Sequence, residues 1–240
     1  MSYWDFVKTE VRDRGPDPIV TWISNSSRIE LSTITFANAM SKASNFLLDG
    51  LELDESSSIS VNLGNHWQSP VWLGTGLATG IKILDASGSV TFGTLEAARF
   101  WTGPSESYAV ISQDPFGMPD REIPAGLVNG SAEVRNFGDY FAPTWPHDSA
   151  AISAASNGTE FTWDQLVEHA NILADNHEIA TGQRYGLKGE SDLLTTLALQ
   201  VVLPITNKNS VVLLDQVDPD FDAIKNQEKL DQFVVLSETA

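Results

Sequence analysis

The 240-residue sequence has no cysteine, only 14 Lys and Arg against 32 Asp and Glu, and no uninterrupted apolar run of bilayer length. Each shortage excludes something. Without cysteine there is no disulfide framework, no thiolate nucleophile and no zinc ribbon. A formal charge of −18 repels phosphate backbones and anionic headgroups, so neither nucleic acid nor membrane is an expected partner. A spanning helix needs about 18 or more apolar residues in a row, and none is present. Met1-Ser2-Tyr3-Trp4-Asp5-Phe6 lacks the basic-then-apolar order of a signal peptide. A cytoplasmic protein is therefore expected, with the sequons at Asn25, Asn129 and Asn157 read as chance matches. The sharpest shortage is local: from Asn136 to Gln183 there is no Lys or Arg, while seven acidic residues fall inside that stretch.

What is present belongs to a folded α/β chain. At this length and 42% hydrophobic residues, roughly 70–75% of the unfolded surface can be buried. Pro18–Ile23 and Ile29–Leu31 read as short strands around the polar turn Asn25-Ser26-Ser27. Ser32 caps a helix with Phe36, Ala39, Met40, Ala43 and Leu47 at helical spacing, ended by Gly50. Ile59–Leu63 is a strand, Trp67–Thr79 a buried helix, and Ile81–Leu84 the next strand. The order recurs: strand end Thr159-Glu160-Phe161, a helix capped by Thr162, strand Tyr185–Leu187, an apolar helix from Asp192 to Val202, then strand Val211–Asp215. Glu30 to Asp85 and Glu160 to Asp215 span equal lengths, offset by 130 residues. This predicts two similarly built αβα lobes with mainly parallel sheets, 1–112 and 149–240, around an aromatic and Pro-rich connector, 113–148. The alternative is that any two βαβαβ stretches look alike.

Most chemical motifs dissolve on inspection. Gly74-Thr75-Gly76-Leu77-Ala78-Thr79-Gly80 resembles a dinucleotide fingerprint, but its glycines close a helix instead of opening one, so helix packing with a Gly80 cap is expected. His66, His147, His169 and His177 do not cluster and read as surface or capping histidines. Asp215, Asp218, Asp220 and Asp222 lack the glycine and terminal glutamate of a calcium loop, and Asp218-Pro219 reads as a helix start. No G-x-S-x-G elbow and no metal cluster is visible. The remaining candidate is Ser156-Asn157-Gly158-Thr159, a polar turn between the small-residue strand Asp148–Ala155 and the Thr162 helix. Strand, turn and helix in that order can cradle a phosphate.

The chain resembles the N-terminal portion of the AMP-dependent synthetase/ligase (adenylate-forming, acyl-CoA synthetase-like) superfamily. The resemblance is carried by Arg28-Ile29-Glu30-Leu31-Ser32, Ala43–Leu47, Ile59–Leu63 and Ala78-Thr79-Gly80-Ile81. It continues through Asp148–Ile152, Val211–Leu214 and Asp218–Ile224. Asn65-His66-Trp67-Gln68 and Ala132-Glu133-Val134-Arg135 are similar to a short, uncharacterised bacterial family matching only that portion. It covers about residues 15–236.

The superfamily's S-G-T-T-G-x-P-K-G loop holds ATP phosphates. Here only Ser156, Gly158 and Thr159 echo it; the second glycine, proline and lysine are missing, and Glu160 brings negative charge. Two unit charges about 4 Å apart interact by roughly 4 kcal/mol at an effective dielectric near 20, so exchanging lysine for glutamate opposes triphosphate binding. The later Y-G-x-T-E motif, ribose-binding aspartate and lysine-bearing C-terminal domain are not in the sequence. The resemblance therefore implies no ATP or magnesium cofactor, no metal and no catalytic residue, and a non-catalytic scaffold for a ligand or partner. The alternative is half of a composite AMP-forming ligase completed by another chain. A surviving pocket is expected between the lobes, near Ser156–Thr159 with Phe141 and Trp145. A homo-oligomer or protein partner is expected to cover the incomplete second sheet.

Overall fold

A computed structural model describes residues 1–102, 107–215 and 220–236. In chain order the elements begin with α1 (Tyr3–Arg14), β1 (Pro18–Ser24), β2 (Arg28–Ser32), α2 (Thr33–Asn45), β3 (Ser58–Asn62), α3 (Gln68–Thr79) and β4 (Lys82–Leu84). They continue with β5 (Val90–Gly93), α4 (Leu95–Ala98), β6 (Ser107–Val110), α5 (Gly130–Glu133), β7 (Ile152–Ser156) and β8 (Thr159–Thr162). The last group is α6 (Trp163–Asn176), β9 (Arg184–Lys188), α7 (Leu193–Leu197), α8 (Leu203–Thr206), β10 (Ser210–Asp215), α9 (Phe221–Glu228) and β11 (Gln232–Val235).

Local chemistry sets the ends. The Ser32 hydroxyl accepts the Thr35 N–H at 3.2 Å and starts α2. Thr162 and Gln165 form a reciprocal capping box on α6. Every residue of α3 is buried, and Gly80 ends it at φ +78°, a conformation in which a Cβ would be strained. The glycine-rich stretch is thus a packing and capping device, as its place at the end of the helix implied.

Eleven strands among the described residues form two mainly parallel sheets. One has the order β11-β9-β10-β1-β2 and the other β6-β5-β3-β4-β7-β8; only the hairpins β1–β2 and β7–β8 are antiparallel. Each half of the chain runs hairpin, helix, strand, helix, strand, and then a further strand, reached directly at β5 and through α9 at β11. The hairpins are exchanged: β1 pairs with β10, and β7 pairs with β4. The expected lobes 1–112 and 149–240 therefore do not coincide with the sheets, because each sheet takes its hairpin from the other half. A hairpin whose turn is short carries no sequence signal of which parallel strand it will join.

Period-two alternation divides the core into layers. Val20, Trp22, Val211 and Leu213 face the main core between the sheets, with α2, α3 and α6. Ile23, Val212 and Leu214 face outward beneath Ile224 of α9. On the other sheet, Ala109 and Ile111 face inward, and Tyr108 and Val110 face outward. No helix among the described residues is long and apolar enough to cross a membrane.

Candidate functional site

The topology places one crevice at the carboxyl ends of both sheets. In the second sheet β3 connects to β4 on one side while β5 lies on its other side. In the first, β9 connects to β10 on one side and β11 lies on the other. Ligand sites in open parallel sheets favour such reversals of strand order, outside the carboxyl ends. Both reversals open onto the same space. Two adjoining cavities of about 540 and 330 Å³ share Asn62, Gly64, Asn65, Gly189 and Glu190, the residues that end β3 and follow β9.

Polar side chains hold the two sheets together there. The Asn65 amide donates to the carbonyls of Leu187 at 3.4 Å and Leu214 at 3.0 Å, and its Oδ1 accepts from Gln200 at 3.4 Å. Gln200 Oε1 and His66 Nε2 are buried without a hydrogen-bond partner among the described residues. Each belongs to a residue in the crevice wall. His66 is thus a buried wall residue and no surface histidine. Its Nδ1 accepts the Gln68 N–H at 3.4 Å at the start of α3, and burial pulls its pKa down to about 4, against the opposing charge of Asp114. The walls carry Asp85, Glu190, Asp192 and Asp215 against Lys188, so the crevice is acidic. Burial raises the Asp215 carboxyl above its ordinary range, with Lys188 opposing.

The predicted phosphate turn has a different construction. Ser156-Asn157-Gly158-Thr159 is the tight turn of the β7–β8 hairpin, with Asn157 at φ +51° and Gly158 at φ +76°. A strand, and no helix N-terminus, follows it. The turn is closed by a carboxylate: Asp85 Oδ2 accepts from the Ser156 hydroxyl at 2.8 Å and the Asn157 N–H at 2.7 Å. These bonds hold the Asp85 carboxyl below its usual range, the Ser156 bond foremost. Glu160, expected to supply the negative charge, is paired with Lys82 at 3.2 Å. The charge at the turn is Asp85. The first hairpin repeats the arrangement in outline, with Ser24 beside Asp215 in the β1–β10 register.

Phe141 and Trp145 do not join this turn. Phe141 is buried edge-on against Trp4, at 5.4 Å between ring centres. Trp145 lines a separate cavity with Ile152 and Ser153, where β7 begins. Ser156 ends that strand, roughly 13 Å away at 3.3 Å per residue. None of Ser156, Asn157, Gly158 and Thr159 lines that cavity. Asp218 and Pro219 lie outside the described residues; Asp220 caps α9 by accepting the Ala223 N–H at 3.0 Å. No group of three or more metal-binding side chains occurs among the described residues.

Sequence reasoning missed Asp85, Asn65 and Gln200. Only Asp85 left a signal, as the acidic residue directly after β4.

The structure aligns with a crystal structure of an acyl-CoA synthetase from Brucella canis at a TM-score of 0.77 over 92% of this chain, with 11% sequence identity. The chain shares the fold of part of an acyl-CoA synthetase. It spans 44% of that synthetase. It is also 28% identical over 145 residues to a Mycobacterium tuberculosis protein described as a TIGR03089 family protein, covering 52% of this chain and 56% of that one. The chain thus spans about half the length of the relatives it matches. No family model matches the sequence.

Proposed function

We propose that this acyl-CoA synthetase-like chain is a non-catalytic scaffold, cytoplasmic, that binds a ligand or partner and does not adenylate on its own. The observation that carries the reading is the Asp85 carboxylate on the Ser156 and Asn157 donors. A triphosphate at this turn would have to displace an anion already hydrogen-bonded there, in a crevice with four carboxylates and one lysine in its walls. Transfer to a phosphorus centre needs positive charge or aligned donors around the developing oxyanions. The turn offers neither. The edge strand β11, with Val235 61% exposed, supports a partner or second copy at that side.

Calorimetric titration with Mg-ATP tests the reading. No saturable heat is expected, and micromolar affinity overturns it. The 44% coverage of the synthetase favours a second reading, half of a composite AMP-forming ligase. In that case, mixing this chain with one carrying the later motifs yields carboxylate-dependent pyrophosphate exchange, and the first reading predicts none.

A further inference from the structure

The separate cavity lined by Trp145, of about 590 Å³, lies at the opposite, amino ends of the strands of the second sheet. Glu55 and Ser56 precede β3, Gly80 precedes β4, and Ala151 precedes β7, so all four wall positions sit at amino ends. This volume is within the range of small-molecule sites. The connector contributes Pro143, Trp145, Pro146, His147 and Asp148 to its wall, so Trp145 lines a pocket, though not the expected one at Ser156–Thr159.

Its walls favour one sign of charge. Trp145, half-buried, supplies the accessible aromatic surface, with the buried Trp163 and Tyr3 behind the wall, and aromatic faces attract cations through the ring quadrupole. The last turn of the 12-residue α3, Leu77–Thr79, forms another wall, and the carbonyl end of a helix carries partial negative charge. Glu55 and Asp148 stand exposed at the mouth. Glu55 has no hydrogen bond or ion pair among the described residues, and Asp148 spends one oxygen on the Ala150 N–H at 2.9 Å. Asp5 is also in the wall, but it is engaged by Lys8 at 2.8 Å and by Ser2. That same pairing caps the positive end of α1, which is therefore closed to anions. Among the described residues no lysine or arginine lines the cavity, and His147 is its one basic side chain.

We propose that this cavity binds a small organic cation, an amine or quaternary ammonium group carried on an apolar body. The apolar part packs between Trp145 and Ile152, and the charge faces the α3 carboxyl end and the Glu55–Asp148 mouth. The cation-free stretch from Asn136 to Gln183 supplies Trp145, His147, Asp148 and Trp163, so its missing lysines and arginines have a structural consequence at this cavity. The site is separate from the crevice and does not depend on how the Ser156–Thr159 turn treats nucleotides.

The test is titration calorimetry of the full chain with benzyltrimethylammonium, against 3-phenylpropanoate as an anion of similar bulk. The cation is expected to bind at least about tenfold tighter than the anion. In Glu55→Gln with Asp148→Asn, both exposed positions, cation affinity should fall about fivefold and lose most of its salt dependence. Trp145→Leu should weaken the cation in a chain of unchanged circular dichroism. Equal affinity for the two probes, no saturable cation binding, or an unaltered cation affinity in the double variant each overturns the proposal.

Discussion

Asp85, the residue after β4, accepts hydrogen bonds from both the Ser156 hydroxyl and the Asn157 N–H across the β4–β7 pair, at 2.8 and 2.7 Å. A carboxylate thereby satisfies the donors of the turn that nucleotide binding would require. Replacing Asp85 by Ala should cost about 1 kcal/mol of stability, a modest sum because the group is exposed. It should also free the turn: adding pyrophosphate should shift the Asn157 amide resonance in Asp85→Ala and leave it still in the wild type. A shift of equal size in both would show that Asp85 does not guard the turn.

His66 is buried and neutral, with its pKa held down to about 4. Unfolded, it titrates near 6.5. Between those values the unfolded chain binds the extra proton, so stability falls as pH drops from about 6.5 toward 4, by on the order of 3 kcal/mol. The His66 ring resonances should stay neutral down to about pH 5, and urea unfolding should show the matching loss. Titration of the ring near 6.5 would place His66 in solvent.

Elements with strong local signals were legible. Ser32, Thr162 and Gly80 announce helix ends through capping chemistry that needs no tertiary partner. The β1–β2 hairpin and the recurrence of element order were visible for the same reason, whereas Ser156–Thr159 was read as a turn from strand into helix and is the turn of the β7–β8 hairpin. α1 was not read: its polar face, with Asp5, Lys8, Arg12 and Asp13, outweighs the buried Tyr3, Trp4 and Val7 in a linear scan. β5 and β6 are four residues each, too short for a period. The candidate turn was found, but its neighbour Asp85 is 71 residues away, and only the exchange of hairpins between the sheets brings them together. Grouping Ser156–Thr159 with Phe141 and Trp145 failed because closeness in sequence ignored the length of β7. Register is a long-range property, and the sequence carries it only in the shape of the packed core.

Gly80 joins the helix cap to the amino-end cavity. Its φ of +78° strains any L side chain, and a Cβ there would meet Trp145 Nε1 at 3.0 Å. Gly80→Ala should destabilise the chain by about 1 kcal/mol and move Trp145. The indole N–H resonance of Trp145 should shift more than that of the distant Trp22. An unchanged Trp145 signal with unchanged stability would mean the helix ends differently.

Glu228, at the end of α9, is held by two arginines from the sheet beneath it. Arg28 binds it at 2.7 and 2.9 Å and Arg184 at 3.0 Å, while Arg184 also reaches the Thr21 hydroxyl at 2.9 Å. The Arg28 bonds, foremost, lower the Glu228 carboxyl below its ordinary value, with burial opposing. A depressed carboxyl pKa stabilises the fold fully above the unfolded value near about 4.3, and that contribution is lost as pH falls through the folded value. Glu228→Gln removes the charge and leaves two guanidinium groups facing a neutral amide, a cost of about 2 kcal/mol at pH 7. The difference between wild type and variant in urea unfolding should therefore be large at pH 7 and shrink below about pH 4. A difference independent of pH would assign the loss to packing of α9 on Val212 and Leu214 and not to the ion pairs.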